Sequence, residues 1–233
     1  MTTTRYPNGI NNATLPSIFE EMGQLDPSRF HNYFNDFNLF NDGVPADWVV
    51  TTVETGTGSA SEVIQDEDGG VLLLTNDDAL FDSDFLQLTN ETFKFEVGKK
   101  LYFKSRIKVS DDTQPAFIMG LQIRDTTPLD VTDGVFFQKD GNDTDLDFHV
   151  EKDNVATTAT AIHTIVSDTY LDVGFFYNGI DAVAFYVNDE ELGTLPVTNL
   201  PDDEELTVSF GVQNAQFVPN SMSIDYIFVA KER

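Results

Sequence analysis

Asp145, Asp147, His149 and Glu151 alternate along the stretch Asp145-Leu146-Asp147-Phe148-His149-Val150-Glu151. Side chains two apart in a strand share a face, so this spacing aligns three carboxylates and an imidazole. Such a row could ligate a metal, or supply the paired carboxyl groups that glycoside hydrolysis places around a scissile bond. A solvated outer strand face explains the same spacing and is the preferred reading. Oxygen-rich loops recur at Gln65-Asp66-Glu67-Asp68-Gly69, Asn76-Asp77-Asp78 and Asp140-Gly141-Asn142-Asp143-Thr144-Asp145. Calcium takes about six to eight oxygens, but none of these loops has the EF-hand pattern. They read first as hydrated turns.

Cations are unevenly spread. Six of the 13 basic residues lie between Lys94 and Lys108: Lys94, Lys99, Lys100, Lys104, Arg106 and Lys108. Lys100, Lys104, Arg106 and Lys108 fall on one face of a single strand, which in so acidic a chain must meet carboxylates. Cross-strand ion pairs inside the same sheet are the first expectation, each contributing about 1 kcal/mol or less at a surface. Contact with acidic loops of another copy or another protein is the second, where complementary charge sets orientation. The three histidines, His31, His149 and His163, have no partner at metal-ligand spacing, and there is no cysteine. Serine-nucleophile and phosphate-loop motifs are absent. Tyr177, Tyr186 and Phe217 are candidate sugar platforms, whereas the lone Trp48 suits a core.

The elements that would position these groups are strands. Leu101, Phe103, Ile107 and Val109 alternate with Tyr102, Lys104, Arg106 and Lys108, the pattern of a half-buried antiparallel strand. Further strand runs are Val71 to Leu74, Ala116 to Ile123, Gly134 to Gln138, Leu146 to Val150, Tyr170 to Tyr177, Ala182 to Val187, Leu206 to Val212 and Met222 to Val229. Turn chemistry separates them at Asp68-Gly69-Gly70, Asn178-Gly179, Asn188-Asp189 and Pro201-Asp202-Asp203. Many short strands with almost no helical periodicity predict an all-β sandwich. Residues 1–30 form a polar, turn-rich arm, with a helical turn or two expected from Ser17 to Leu25, and residues 31–233 form the body.

With 233 residues, 40% hydrophobic content and 20 Phe, the chain can bury a sizeable core. Its net charge of −27 repels phosphate backbones and anionic membranes, which argues against nucleic-acid and membrane partners. Solubility explains this acidity; docking to a basic or calcium-bearing surface is the alternative. The first twelve residues lack the apolar core of a signal peptide, and no apolar run is long enough to span a bilayer.

Phe34-Asn35-Asp36-Phe37 followed by Trp48, then Gly70-Val71-Leu72-Leu73-Leu74, the strand Lys99 to Val109 and the closing Ser223-Ile224-Asp225-Tyr226-Ile227 together resemble the concanavalin-like jelly rolls. Laminin-G modules, legume lectins and laminarinase-type glycosidases share that fold. The resemblance implies two facing antiparallel sheets, and Asp225 as a ligand of a structural calcium; no other cofactor is implied. The hydrolases of this group carry a Glu-x-Asp-x-x-Glu strand that does not occur here, so no catalytic residue carries over.

A narrower resemblance is to virion proteins of tailed phages. Thr4-Arg5-Tyr6-Pro7-Asn8-Gly9, Gly120 to Ile123, Thr127 to Gly134, Asp147 to Lys152 and the ending Tyr226 to Arg233 carry it. It implies a non-enzymatic structural protein, made in the bacterial host and residing on the capsid surface as a decoration or cement protein. Its partners would be the major capsid protein, other virion proteins and its own copies in a symmetric assembly such as a trimer. The contact residues would be Arg5, Tyr6, Pro7 and Arg29 in the arm, with Lys100, Lys104, Arg106 and Lys108 on the body. A carbohydrate-binding module or a tail-fibre receptor-binding component is the alternative.

Overall fold

The computed structural model describes residues 28–44, 46–55, 58–67 and 69–233. The arm, including Arg5, Tyr6, Pro7 and the Ser17–Leu25 turn, lies outside them. Two antiparallel sheets face each other. The eight-stranded sheet comprises β1 (Phe30–Asn35), β3 (Ser61–Gln65), β4 (Val71–Thr75), β6 (Leu101–Val109), β11 (Leu171–Tyr177), β12 (Ala182–Val187), β13 (Glu190–Pro196) and β15 (Ser221–Glu232). Its order is β13-β12-β11-β6-β15-β4-β3, with β1 also paired to β15. The long β15 serves both neighbours: Ser221 to Ile224 pair with β4, and Ile227 to Glu232 with β1. The seven-stranded sheet runs β10 (Val155–Thr164), β9 (Asp145–Lys152), β8 (Gly134–Lys139), β7 (Pro115–Gln122), β14 (Thr207–Asn214), β5 (Ser83–Leu88), β2 (Trp48–Val53). One 3-10 turn, Val197–Asn199, is the helical element among the described residues.

Alternation decides what enters the space between the sheets. Leu101, Phe103, Ile107 and Val109 of β6 point into it, as do Leu146, Phe148 and Val150 of β9. Phenylalanine dominates this layer: Phe103 stacks on Phe175 at 5.1 Å between centroids, and Phe148 meets Phe137, Phe175 and Phe185. Trp48 is 2% exposed and packs edge-on against Phe210 at 5.2 Å, with Phe37 stacked beside it. Phe37 reaches this place because its backbone turns to φ +40, held by Asn35 Oδ1, which accepts from the Phe37 N–H at 2.9 Å.

The Asn188-Asp189 turn between β12 and β13 has both residues at positive φ, as a two-residue type I′ hairpin requires, and Asp153-Asn154 does the same between β9 and β10. At Asn178-Gly179 the Asn178 side chain accepts from the backbone N–H groups of Ile180, Asp181 and Ala182. Lys139 is fully buried, an exception to period-two reading. Its ammonium donates to the carbonyls of Thr113, Pro115 and Asp140 at 3.0, 2.6 and 3.1 Å, so three donors meet three acceptors.

Two outcomes follow from this packing. Replacing Trp48 by Ala removes the aromatic that joins Phe37 to Phe210, and urea denaturation should show a loss of about 4 kcal/mol; a loss below about 1 kcal/mol would contradict a core role. Lys139→Met keeps the volume but strands three carbonyls, so a loss of about 3 kcal/mol is expected by the same measurement.

Candidate functional site

The seven-stranded sheet carries the acidic row on its outer face. Asp145, Asp147, His149 and Glu151 share that face, while the residues between them are buried inward. The pairing with β8 sets Gln138 against Asp147, Phe136 against His149 and Gly134 against Glu151, so no carboxylate stands directly across the strand gap. His149 lies flat on Phe136, with centroids 5.1 Å apart and planes 4° from parallel, and burial holds its pKa below the usual imidazole value. Burial, with the charges of Asp130 and Asp133 behind it, raises the Glu151 carboxyl. A raised carboxyl suits a general acid, but Asp147 is four residues away, roughly 13 Å along a strand. Paired glycosidase carboxyls stand about 5–9.5 Å apart. Asp133 has both oxygens engaged, by the Asp153 N–H and the Thr132 hydroxyl.

Beside this row is a groove of about 600 Å³ lined by Phe81, Leu129, Gln138, Asn142 and Gln213 among others. Phe81 is 58% exposed and sits at φ +69, a backbone region that bulky residues rarely occupy. Sequence reading did not single it out, because neither exposure nor a positive φ is visible in an isolated Phe. Of the named sugar platforms, Phe217 is exposed, whereas Tyr177 and Tyr186 are buried, packed by β11 and β12 into the two faces of the larger sheet.

The outer face of the eight-stranded sheet combines aromatic and cationic groups. Tyr102, Lys104, Arg106 and Lys108 project from β6, and the register puts Phe228 opposite Lys104 and Phe34 opposite Phe228. Phe34 remains 60% exposed and meets Phe228 edge-on; Phe228 in turn meets Tyr102. Phe34, Tyr102, Lys104, Tyr226 and Phe228 line a shallow depression of about 380 Å³. The sheet and its turns supply carboxylates to the stripe: Lys104 to Asp189 at 2.7 Å and Arg106 to Asp225 at 2.8 Å. Arg106 and Lys108 both lie over the Tyr170 ring, at 4.4 and 4.8 Å from its centroid. The Lys100 backbone N–H donates to Glu232. Arg29 is exposed at the entry to β1, and its carbonyl accepts from the Arg233 N–H.

Asp225 sits where β15 slips register against β6, between Ile224 and Tyr226. A bulge of this kind re-aims one side chain, here toward the Arg106 guanidinium. The surroundings of Asp225 do not fit a calcium ion, because a guanidinium holds the carboxylate. Three acidic side chains close enough to share one ion occur elsewhere among the described residues, at Glu54, Asp77 and Asp82. Asp77 belongs to an oxygen-rich loop legible in the sequence; Glu54 and Asp82 join it only through folding. Burial and then the Asp82 charge raise Glu54. Asp82 is buried too, yet donors from Thr55 and Ala79 hold it below the usual carboxylate range. Burial and the adjacent Glu62 push Asp84 up to about 8.

No family model and no curated protein sequence matches the chain. Solved structures do. An endo-1,3-β-glucanase from Streptomyces sioyaensis superposes with a TM-score of 0.61 at 13% identity, covering 90% of this chain and 99% of the enzyme. Peanut lectin gives 0.58 at 13% identity, over 87% and 97% of the two chains. A protein of unknown function from Shewanella oneidensis MR-1, SO2946, gives 0.58 at 15% identity, over 88% and 87%. Enzymes and lectins alike share this architecture, so the fold alone does not decide between catalysis and binding. The chain folds as a concanavalin-like jelly-roll sandwich of two antiparallel sheets.

Proposed function

We propose that the chain is a non-enzymatic structural protein of a tailed-phage virion, decorating the capsid through the outer face of its eight-stranded sheet. The observation that carries this reading is a shallow aromatic depression on a chain of net charge −27, headed by the exposed Phe34 and lined by the half-buried Phe228 and Tyr226, the buried Tyr102 and Lys104. An exposed apolar patch rimmed by charge is the usual mark of a protein contact. The sequence resemblance to virion proteins supports the major capsid protein as the partner, with further copies of this chain around it. Lys104 and Arg106 are then shared between internal carboxylates and the shell, and the arm with Arg5, Tyr6, Pro7 and Arg29 adds a second contact. Mass spectrometry of purified particles should find the chain in stoichiometric amount. Recombinant protein should rebind to particles lacking it, and the Phe34→Ala, Phe228→Ala double variant should bind at least about tenfold more weakly. Absence from particles, or unchanged rebinding of that variant, would overturn the proposal.

A second reading has its own observation. Phe81, held exposed at positive φ beside Gln138, Asn142 and Gln213, gives the groove on the seven-stranded sheet an aromatic platform with amide donors and acceptors. Glycan recognition uses that combination. On this reading the chain binds a host surface glycan without cleaving it. A glycan array should return a ligand whose affinity falls about tenfold in Phe81→Ala, with no reducing sugar released. Release of sugar that Glu151→Gln abolishes would instead establish a hydrolase.

A further inference from the structure

We propose that Asp84 of β5 and Glu62 of β3 share one proton across the gap between the two sheets, and that this proton latches the edge strand β3 onto the core until it is lost. β3 is the outermost strand of the eight-stranded sheet, and β4 is its partner. The register sets Glu62 against Leu74 and Ile64 against Leu72. Leu72 and Leu74 are fully buried in the core between the sheets. Directly paired residues share a face, so Glu62 and Ile64 are inward residues of β3. Glu62 thus takes a place that alternation reserves for an apolar anchor.

Asp84 comes from the opposite sheet. It stands two residues before the core residue Leu86, on the same side of β5, and is fully buried. Its Oδ1 accepts from the Thr52 hydroxyl at 3.0 Å. Its Oδ2 is buried with no N–H or hydroxyl donor, and the side chain that meets this carboxyl from across the gap is Glu62. Two ionised carboxylates at that range only repel; with one proton between them, one donates and the other accepts. Burial and then the Glu62 charge push Asp84 up to about 8, in keeping with a carboxyl that holds its proton at neutral pH.

The other groups around Asp84 do not neutralise it. The register places Thr52 of β2 on one side and Val212 of β14 on the other. Glu54, just past β2, adds a further negative charge, and Asp82 precedes Asp84 by two residues on its own chain segment. Among the described residues no lysine or arginine forms an ion pair with Glu54, Glu62, Asp82 or Asp84. Loss of the proton therefore leaves two carboxylates facing each other where water is scarce, and they must part. β5 is paired on both sides, to β2 and β14, whereas β3 ends its sheet. The strand that yields is β3.

A carboxyl whose proton is held more tightly in the folded chain stabilises that chain at low pH. The contribution is complete below the ordinary aspartate value of about 4 and is lost as pH rises through about 8. Carboxyl-carbon NMR of the 13C-labelled full chain should show Asp84 titrating near that upper value. In Glu62→Gln, whose amide can donate to an ionised Asp84, the midpoint should fall by about two pH units or more. Urea denaturation from about pH 5 to pH 9 then compares wild type with Asp84→Asn, which keeps an acceptor for Thr52 and a donor for Glu62. The ratio of folding constants, variant over wild type, should rise roughly tenfold per pH unit up to about pH 8 and level off above it. Amides of β3 should exchange hydrogen faster in wild type than in Asp84→Asn at about pH 9 and equally at about pH 6. An Asp84 midpoint near 4, or one near 8 that Glu62→Gln leaves in place, overturns the shared proton. A folding ratio independent of pH, or equal β3 exchange at both pH values, overturns the latch. The two NMR titrations decide the matter if Asp84→Asn does not fold.

Discussion

Burial of a phenylalanine-rich layer between two sheets is the constraint on which the rest of this molecule depends. The chain has no cysteine to staple it, and a net charge of −27 works against compaction. Each apolar side chain removed from water contributes roughly 1.5–3 kcal/mol, and dozens are removed together here. Because strand side chains alternate, every residue committed to this layer fixes its neighbours on an outer face. Phe103, Ile107 and Val109 face the core, so Tyr102, Lys104, Arg106 and Lys108 must line the outside. The surface chemistry is therefore a by-product of core register, and a slip of one residue would exchange the two.

Both outer faces then carry something a solvated sheet does not need. One has an aromatic patch edged by Lys104, which Asp189 pairs, with the Arg106–Asp225 pair alongside. The other has a groove with a strained, exposed Phe81. The acid row of β9, which offers the chemistry of a hydrolase on spacing alone, faces Gly134, Phe136 and Gln138 instead of a second carboxylate. The acidic end of the sandwich links these features, since the braced loop that bears Asp77 and Asp82 also presents Phe81.

Much of this was legible in the sequence, and what was not has a common cause. The strands from β6 to β9, β11, β12, β14 and β15 are half-buried or fully buried, so hydrophobic periodicity reports them within a few residues. The β10 run Val-Ala-Thr-Thr-Ala-Thr-Ala-Ile-His-Thr and the β13 run Glu-Glu-Leu-Gly-Thr-Leu-Pro lie at sheet edges, exposed over much of both faces. Their membership comes from hydrogen bonding to a neighbour, which leaves no hydrophobic signature. β5 hides for a different reason: Ser83, Asp84 and Gln87 are polar yet buried, satisfied in part by side-chain hydrogen bonds to distant residues. The same holds for the two carboxyls that meet between the sheets. Glu62 and Asp84 stand on strands of different sheets, and nothing local in either marks the other as a neighbour. Asp225 shows the converse. Its place in the closing strand matched the concanavalin-like pattern, but the bulge that turns it to Arg106 is a tertiary feature.

Hydrogen–deuterium exchange along the full chain measures the central claim most directly, because it reads which backbone groups open only with the whole fold. If the two-sheet core governs, amides of β6, β11 and β15 on one side and of β7, β8 and β14 on the other should share the slowest rate. Those of β3, β10 and β13 should exchange far sooner. Slow exchange concentrated in the edge strands, or uniform fast exchange across β6 and β7, would contradict it.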